Sequence, residues 1–66
     1  MNEKKLIGVE ELALYLDSSV AFIRKLILTR QIPYIKIGGR VKFDLVEVNQ
    51  WIDERRQEER KNVLFI

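Results

Sequence analysis

The apolar periodicity of this 66-residue chain changes twice, at Pro33 and at Asp44, and few folds accommodate both changes in so short a length. Before Pro33 the spacing is helical. Val9, Leu12, Ala13 and Leu16 form one stripe of a first helix, VEELALYL, with Glu10 and Glu11 in its first turn, where acids favour the helix dipole. Val20, Ile23, Leu26 and Ile27 form the stripe of a second helix from about Val20 to Thr29. Asp17-Ser18-Ser19 separates them, because these side chains compete for backbone hydrogen bonds and favour turns, and Ser18 or Ser19 is expected to cap the second helix. Residues 9–30 therefore read as a helix-turn-helix.

Pro33 cannot continue a helix, and Ile35, Ile37, Val41 and Phe43 then alternate with Lys36 and Lys42 around Gly38-Gly39, which predicts a hairpin over 33–43. Keeping the apolar residues on one face requires a three-residue loop, Gly38-Gly39-Arg40. That register pairs Ile37 with Val41, Lys36 with Lys42 and Ile35 with Phe43, and leaves Arg40 at the tip. A two-residue loop would mix the faces. Asp44 with Glu47 is the Asp variant of a capping box, and Leu45, Val48, Trp51 and Ile52 supply the stripe of a third helix over 44–60. Its second half lacks apolar residues and offers pairs such as Asp53 with Arg56 and Glu58 with Lys61, so it should project into solvent. Residues 61–66 end in Val63-Leu64-Phe65-Ile66, an apolar tail that folds back on the core or meets another subunit. The fold class is mainly α with a small β-hairpin, in one domain over 1–66.

Composition removes most chemistry. Cysteine and histidine are both absent, which excludes disulfides, thiolate and imidazole metal sites and the commonest catalytic bases. No nucleophile stands beside a base, so no catalytic residue, metal or cofactor is assigned, and the chain is not read as an enzyme. The acids Asp53, Glu54, Glu58 and Glu59 alternate with arginines along one helix, the pattern of a solvated face rather than of a metal site. No apolar run approaches the roughly 18 to 20 residues of a membrane span, and Met1 to Lys5 is unlike a signal peptide, so a cytoplasmic location with no membrane partner is expected.

The net charge of +2 conceals a lopsided distribution. From Ser18 to Phe43 the chain carries Arg24, Lys25, Arg30, Lys36, Arg40 and Lys42 and no acid at all, whereas the remaining six cations are outnumbered by ten acids. A run of charge is often only a solvated surface. Here the acid-free stretch spans two elements and their connection, which points to a polyanion as partner.

Val9-Glu10-Glu11 before an apolar helix, Ile23-Arg24-Lys25-Leu26-Ile27, the stretch from Ile32 to Phe43, and Trp51 stand in one gapless order over residues 6 to 52. In that order the chain resembles the excisionase-type subset of the mercury-regulator-like winged helix-turn-helix domains. Three positions depart from the family pattern: Gly8 replaces a capping Ser or Thr, and Asp17 and Arg30 replace turn glycines, which asks both for unusual backbone angles. The resemblance implies that the second helix enters the major groove of double-stranded DNA and that the wing touches the neighbouring backbone or minor groove. It also implies an excision factor, a small transcription regulator or, on a related fold, a DNA-packaging recognition subunit, with a site-specific recombinase as a further partner. A second copy of the chain is expected because so small a domain buries little surface on DNA.

Helical geometry places Ser18, Ala21, Phe22, Lys25, Leu28 and Thr29 on the outer side of the second helix and Arg24 at its boundary. The expected contacts are Ser18 and Ser19 to phosphate, Ala21 and Phe22 to a thymine methyl, and Arg24 and Lys25 to bases or phosphates. On the wing, Lys36, Arg40 and Lys42 supply charge, and Gly38 and Gly39 allow close approach. For Phe22 the bland reading is an aromatic packed beside the wing; for the serines it is capping alone, and for the wing cations it is solvated charge protecting a strand edge. Arg30, at the bend, is the weakest contact. The alternative function is a protein-interaction module using Phe22, Leu28 and the C-terminal tail.

Overall fold

The structure, a computed structural model, describes residues 5–64, with side chains through Glu59. The elements follow in the order β1 (Leu6–Ile7), α1 (Val9–Tyr15), α2 (Val20–Leu28), β2 (Ile35–Ile37), β3 (Arg40–Asp44) and α3 (Leu45–Leu64). This is a winged helix-turn-helix. Three helices accompany a small antiparallel sheet of order β1-β3-β2, whose central strand β3 packs against α1 and α3.

Both helices of the helix-turn-helix end in the same way. At the end of α1 the Asp17 amide donates to the Leu14 carbonyl at 3.1 Å and the Ser18 amide to that of Ala13 at 2.8 Å; at the end of α2 the Arg30 amide reaches Ile27 at 3.1 Å and the Gln31 amide reaches Leu26 at 2.8 Å. Each pair of bonds is a Schellman motif, whose residue beyond the cap must be left-handed. Asp17 and Arg30 occupy those positions, both with φ 55°, as their replacement of turn glycines implied. A non-glycine residue there costs about 1–2 kcal/mol. Arg30→Gly should therefore stabilise the domain by about 1 kcal/mol after the added freedom of the unfolded chain is counted, raising the melting midpoint by about 4–8 °C in a circular-dichroism melt. An unchanged midpoint would mean that the bend carries no strain.

The core takes residues from β1, α1, α2, the segment after α2, β3 and the start of α3: Ile7, Leu12, Ala13, Ile23, Leu26, Ile32, Phe43 and Val48 are buried. Val9, Leu16, Val20, Ile27, Val41, Leu45, Trp51 and Ile52 pack against them. The helical stripes are those the spacing predicts. Ile7 and Ile32 belong to no stripe, and tertiary contact alone buries them.

Two expectations need correction in the sheet. The hairpin is closed by a two-residue loop, pairing Ile37 with Arg40, Lys36 with Val41 and Ile35 with Lys42, not by the three-residue loop. Gly38 and Gly39 have φ 56° and 82°, and two successive positive values are what a type I′ turn demands, the turn whose twist matches that of the strands it joins. Mixing the faces costs little, because the outer end of the ribbon lies against nothing, with Ile37 49% exposed. Arg40 is therefore the first residue of β3 rather than the tip, and Lys36 does not oppose Lys42. The second correction is β1, which sequence reading omitted. It pairs Leu6 with Asp44 and Ile7 with Phe43, and two residues are too few to show an alternation.

Asp44 caps α3 as predicted, its carboxylate accepting from the Val46 amide at 2.9 Å. The helix continues to Leu64 instead of ending near Arg60, so the first part of the expected tail is helical. Phe65 and Ile66 lie outside the described residues, and with them the question of what the tail meets. The Asp53–Arg56 pair forms at 3.8 Å between exposed side chains, whereas Lys61 of the other expected pair has no described side chain. A hydrogen bond of 2.7 Å from the Tyr15 hydroxyl to Asn49 Oδ1 ties α1 to α3. No described helix is long and apolar enough to cross a membrane.

Candidate nucleic-acid interface

The start of α2 separates the two serines. Ser19 is the cap, its hydroxyl oxygen accepting from the Phe22 amide at 3.1 Å while the residue stays exposed. Ser18 does not present its hydroxyl to the outer side as expected. The Schellman bond of its amide turns the residue inward, and its Oγ is buried without a hydrogen-bond partner among the described residues. Ser18 is thus a poor phosphate contact, because a buried hydroxyl cannot reach an anion on the surface.

Ala21, Phe22, Arg24 and Lys25 are all exposed, but they do not share one surface. Arg24 turns towards the wing. With Arg40 and Lys42 of β3, Val20, Leu14 and the first turn of α1 it lines an open groove of about 820 Å³. Lys25, one residue on, turns towards α3 and joins Phe22, Leu26, Gln31, Trp51 and Arg55 around a smaller cleft of about 250 Å³. The step of a hundred degrees per residue produces this division. Phe22, 47% exposed, accordingly sits beside α3 rather than beside the wing.

The wing cations divide as well. In the observed register Arg40 and Lys42 share one face of the ribbon with Ile35 and Ile37, while Lys36 falls with Val41 on the opposite face, the one that carries Phe43 into the core. Lys36 is exposed at the outer end of that face and lines neither concavity. Gly38 and Gly39 form the tip, and a Cβ added to either would meet nothing within 4 Å, so backbone angles rather than space select glycine there.

Glu10 and Glu11 also line the larger groove, a placement that sequence reading missed. They precede the acid-free stretch in the chain, so a linear tally of charge does not associate them with it. Even so, neither pairs with a cation there: among the described residues Arg24, Lys25, Arg30, Lys36, Arg40 and Lys42 form no salt bridge.

Over residues 6–56 the chain matches a family described as a helix-turn-helix domain. The chain belongs to that family. It is the excisionase-type, mercury-regulator-like class of helix-turn-helix. No curated protein and no solved structure matches the chain. Membership covers every element from β1 into α3, and it makes DNA binding the general activity of this helix-turn-helix domain, in a family that is typically non-enzymatic.

Proposed function

We propose that this helix-turn-helix domain recognises a specific site in double-stranded DNA, with α2 in the major groove and the wing on the adjacent backbone or minor groove. In this reading it serves as an excisionase-like architectural factor or a small transcription regulator. One observation carries the proposal: Arg24 of α2 and Arg40 and Lys42 of β3 line a single open groove, so two elements present charge to one path of phosphates. Ser19, Ala21, Phe22 and Lys25 supply the exposed remainder of α2, with Ala21 and Phe22 suited to thymine methyls and Lys25 to a phosphate or a base. Gly38 and Gly39 allow the tip to approach DNA closely. Lys36 joins as a phosphate contact from the other face of the wing.

A domain of this size buries little surface on DNA, so binding is expected to be cooperative, through a second copy or a recombinase. Selection of bound sequences from random DNA, followed by footprinting on the enriched site, tests the whole reading. Arg40→Ala is expected to weaken binding to that site by at least a few fold in a gel-shift titration; an unchanged affinity would remove the wing from the interface.

The exposed apolar residues of α2, Phe22 at 47% and Leu28 at 82%, support a second reading as a protein-interaction surface. A partner that stays bound in high salt, together with weak retention on DNA-cellulose, would favour it.

A further inference from the structure

The segment between α2 and the wing, residues 29–34, sets how far the wing lies from α2, and it contains the left-handed Arg30. Three side chains hold it. The indole Nε1 of Trp51, on α3, donates to the Gln31 carbonyl at 2.6 Å. The Gln31 side-chain Nε2 donates to Thr29 Oγ1 at 3.0 Å, and Thr29 Oγ1 donates in turn to the Lys25 carbonyl in the last turn of α2 at 2.8 Å. Arg55 closes the outer side, its guanidinium 4.8 Å from the centre of the Trp51 ring, a cation–π distance. A chain of hydrogen bonds thus runs from α3 through the connecting segment into the end of α2.

We propose that Trp51 is a positioning residue for DNA recognition, which holds the α2–wing segment at Gln31 and so sets the spacing between the cations of α2 and those of the wing. The inference rests on the wing reading given above. Packing alone does not require the indole nitrogen, since a phenyl ring keeps much of the apolar contact around the cleft with α2 but cannot donate a hydrogen bond. The donor matters because the Gln31 carbonyl lies just past a strained residue, and a second anchor there prevents the segment from relaxing to an ordinary bend. A shift of the segment would move β2 and β3 together and carry Arg40 and Lys42 away from Arg24. Trp51 touches no DNA in this scheme.

The test is a double-mutant cycle on the selected duplex, read by fluorescence anisotropy, with Trp51→Phe, Arg40→Ala and the two combined. Thr29→Val, which breaks the other bond to Gln31 and keeps the shape of the side chain, provides an independent variant should Trp51→Phe fail to fold in a circular-dichroism melt. Trp51→Phe or Thr29→Val is expected to weaken specific binding several-fold. Combined with Arg40→Ala, either should add clearly less than its loss in the wild-type background, because one of the two wing contacts that it positions, that of Arg40 beside Lys42, is already absent. Multiplicative losses would overturn the positioning role while leaving the wing reading intact. If Arg40→Ala alone binds as tightly as the wild type, the wing reading itself fails and the inference with it.

Discussion

Phe43→Ala is expected to leave most of the chain unfolded at 37 °C. Phe43 is fully buried, pairs with Ile7 of β1, sits one residue before the cap of α3, and belongs to the one core cluster that also holds Leu12 of α1, Ile23 of α2 and Val48 of α3. Truncating a buried phenylalanine costs about 3–5 kcal/mol, from lost transfer energy and from the cavity that remains. Small domains begin with only about 5 kcal/mol or little more. A chain of 66 residues buries a smaller share of its surface than a longer one and has no disulfide to compensate. The measurement is a urea titration followed by far-ultraviolet circular dichroism, with Leu28→Ala as control. Leu28 is 82% exposed, and its truncation should shift the midpoint hardly at all. Similar losses from both substitutions would show that the core does not lie where the burial pattern places it.

The second large effect concerns affinity. Replacing Arg24, Arg40 and Lys42 together with alanine should abolish useful binding at about 0.1 M salt, a loss of roughly two to three orders of magnitude if each contributes one phosphate contact. The dependence on salt separates this from a general loss of fold. About six phosphate contacts give a log-log slope of roughly −5, and removing three should bring it to roughly −3, because each contact releases about 0.9 of a counterion. Arg56→Ala is the control: that residue lies on the exposed part of α3 beside Asp53, away from the groove. Unchanged slopes in the triple variant would mean that the groove between α2 and the wing does not track phosphates. A slope near zero in the wild type would remove the electrostatic case for DNA altogether.

The helices were legible in the chain because their signals are local. The stripes from Val9 to Leu16 and from Val20 to Ile27 need only the period of one helix, and the cap at Asp44 needs only the amide two residues on. The positive φ of Asp17 and Arg30 was legible only through the resemblance, which sets turn glycines there, and the Schellman ends give its physical reason. The hairpin was placed correctly but read in the wrong register. Segregation of faces decides register only where one face is buried, and at Ile37 and Arg40 neither is, so the positive φ values of Gly38 and Gly39 decide it instead. β1 left no trace because two residues carry no period, and its pairing with β3 depends on where the chain end comes to lie.

The two apolar periods, the breaks at Asp17 and Pro33, and the acid-free stretch from Ser18 to Phe43 determined from sequence alone a helix-turn-helix, a hairpin and a third helix with the positive charge on α2 and the hairpin, and the order of these elements carried the resemblance to winged helix-turn-helix domains. These are properties of neighbours along the chain, and periodicity reports them directly. Which cations share a surface was a matter for the tertiary structure alone. It sets Arg24 with Arg40 and Lys42 across one groove, turns Lys25 towards Trp51 and Arg55, leaves Lys36 on the far face and takes the Ser18 hydroxyl out of reach. The reason is geometric. A hundred degrees of rotation or one step of strand register moves a side chain to a different surface, and only the packing of α1, β3 and α3 around α2 determines what that surface holds.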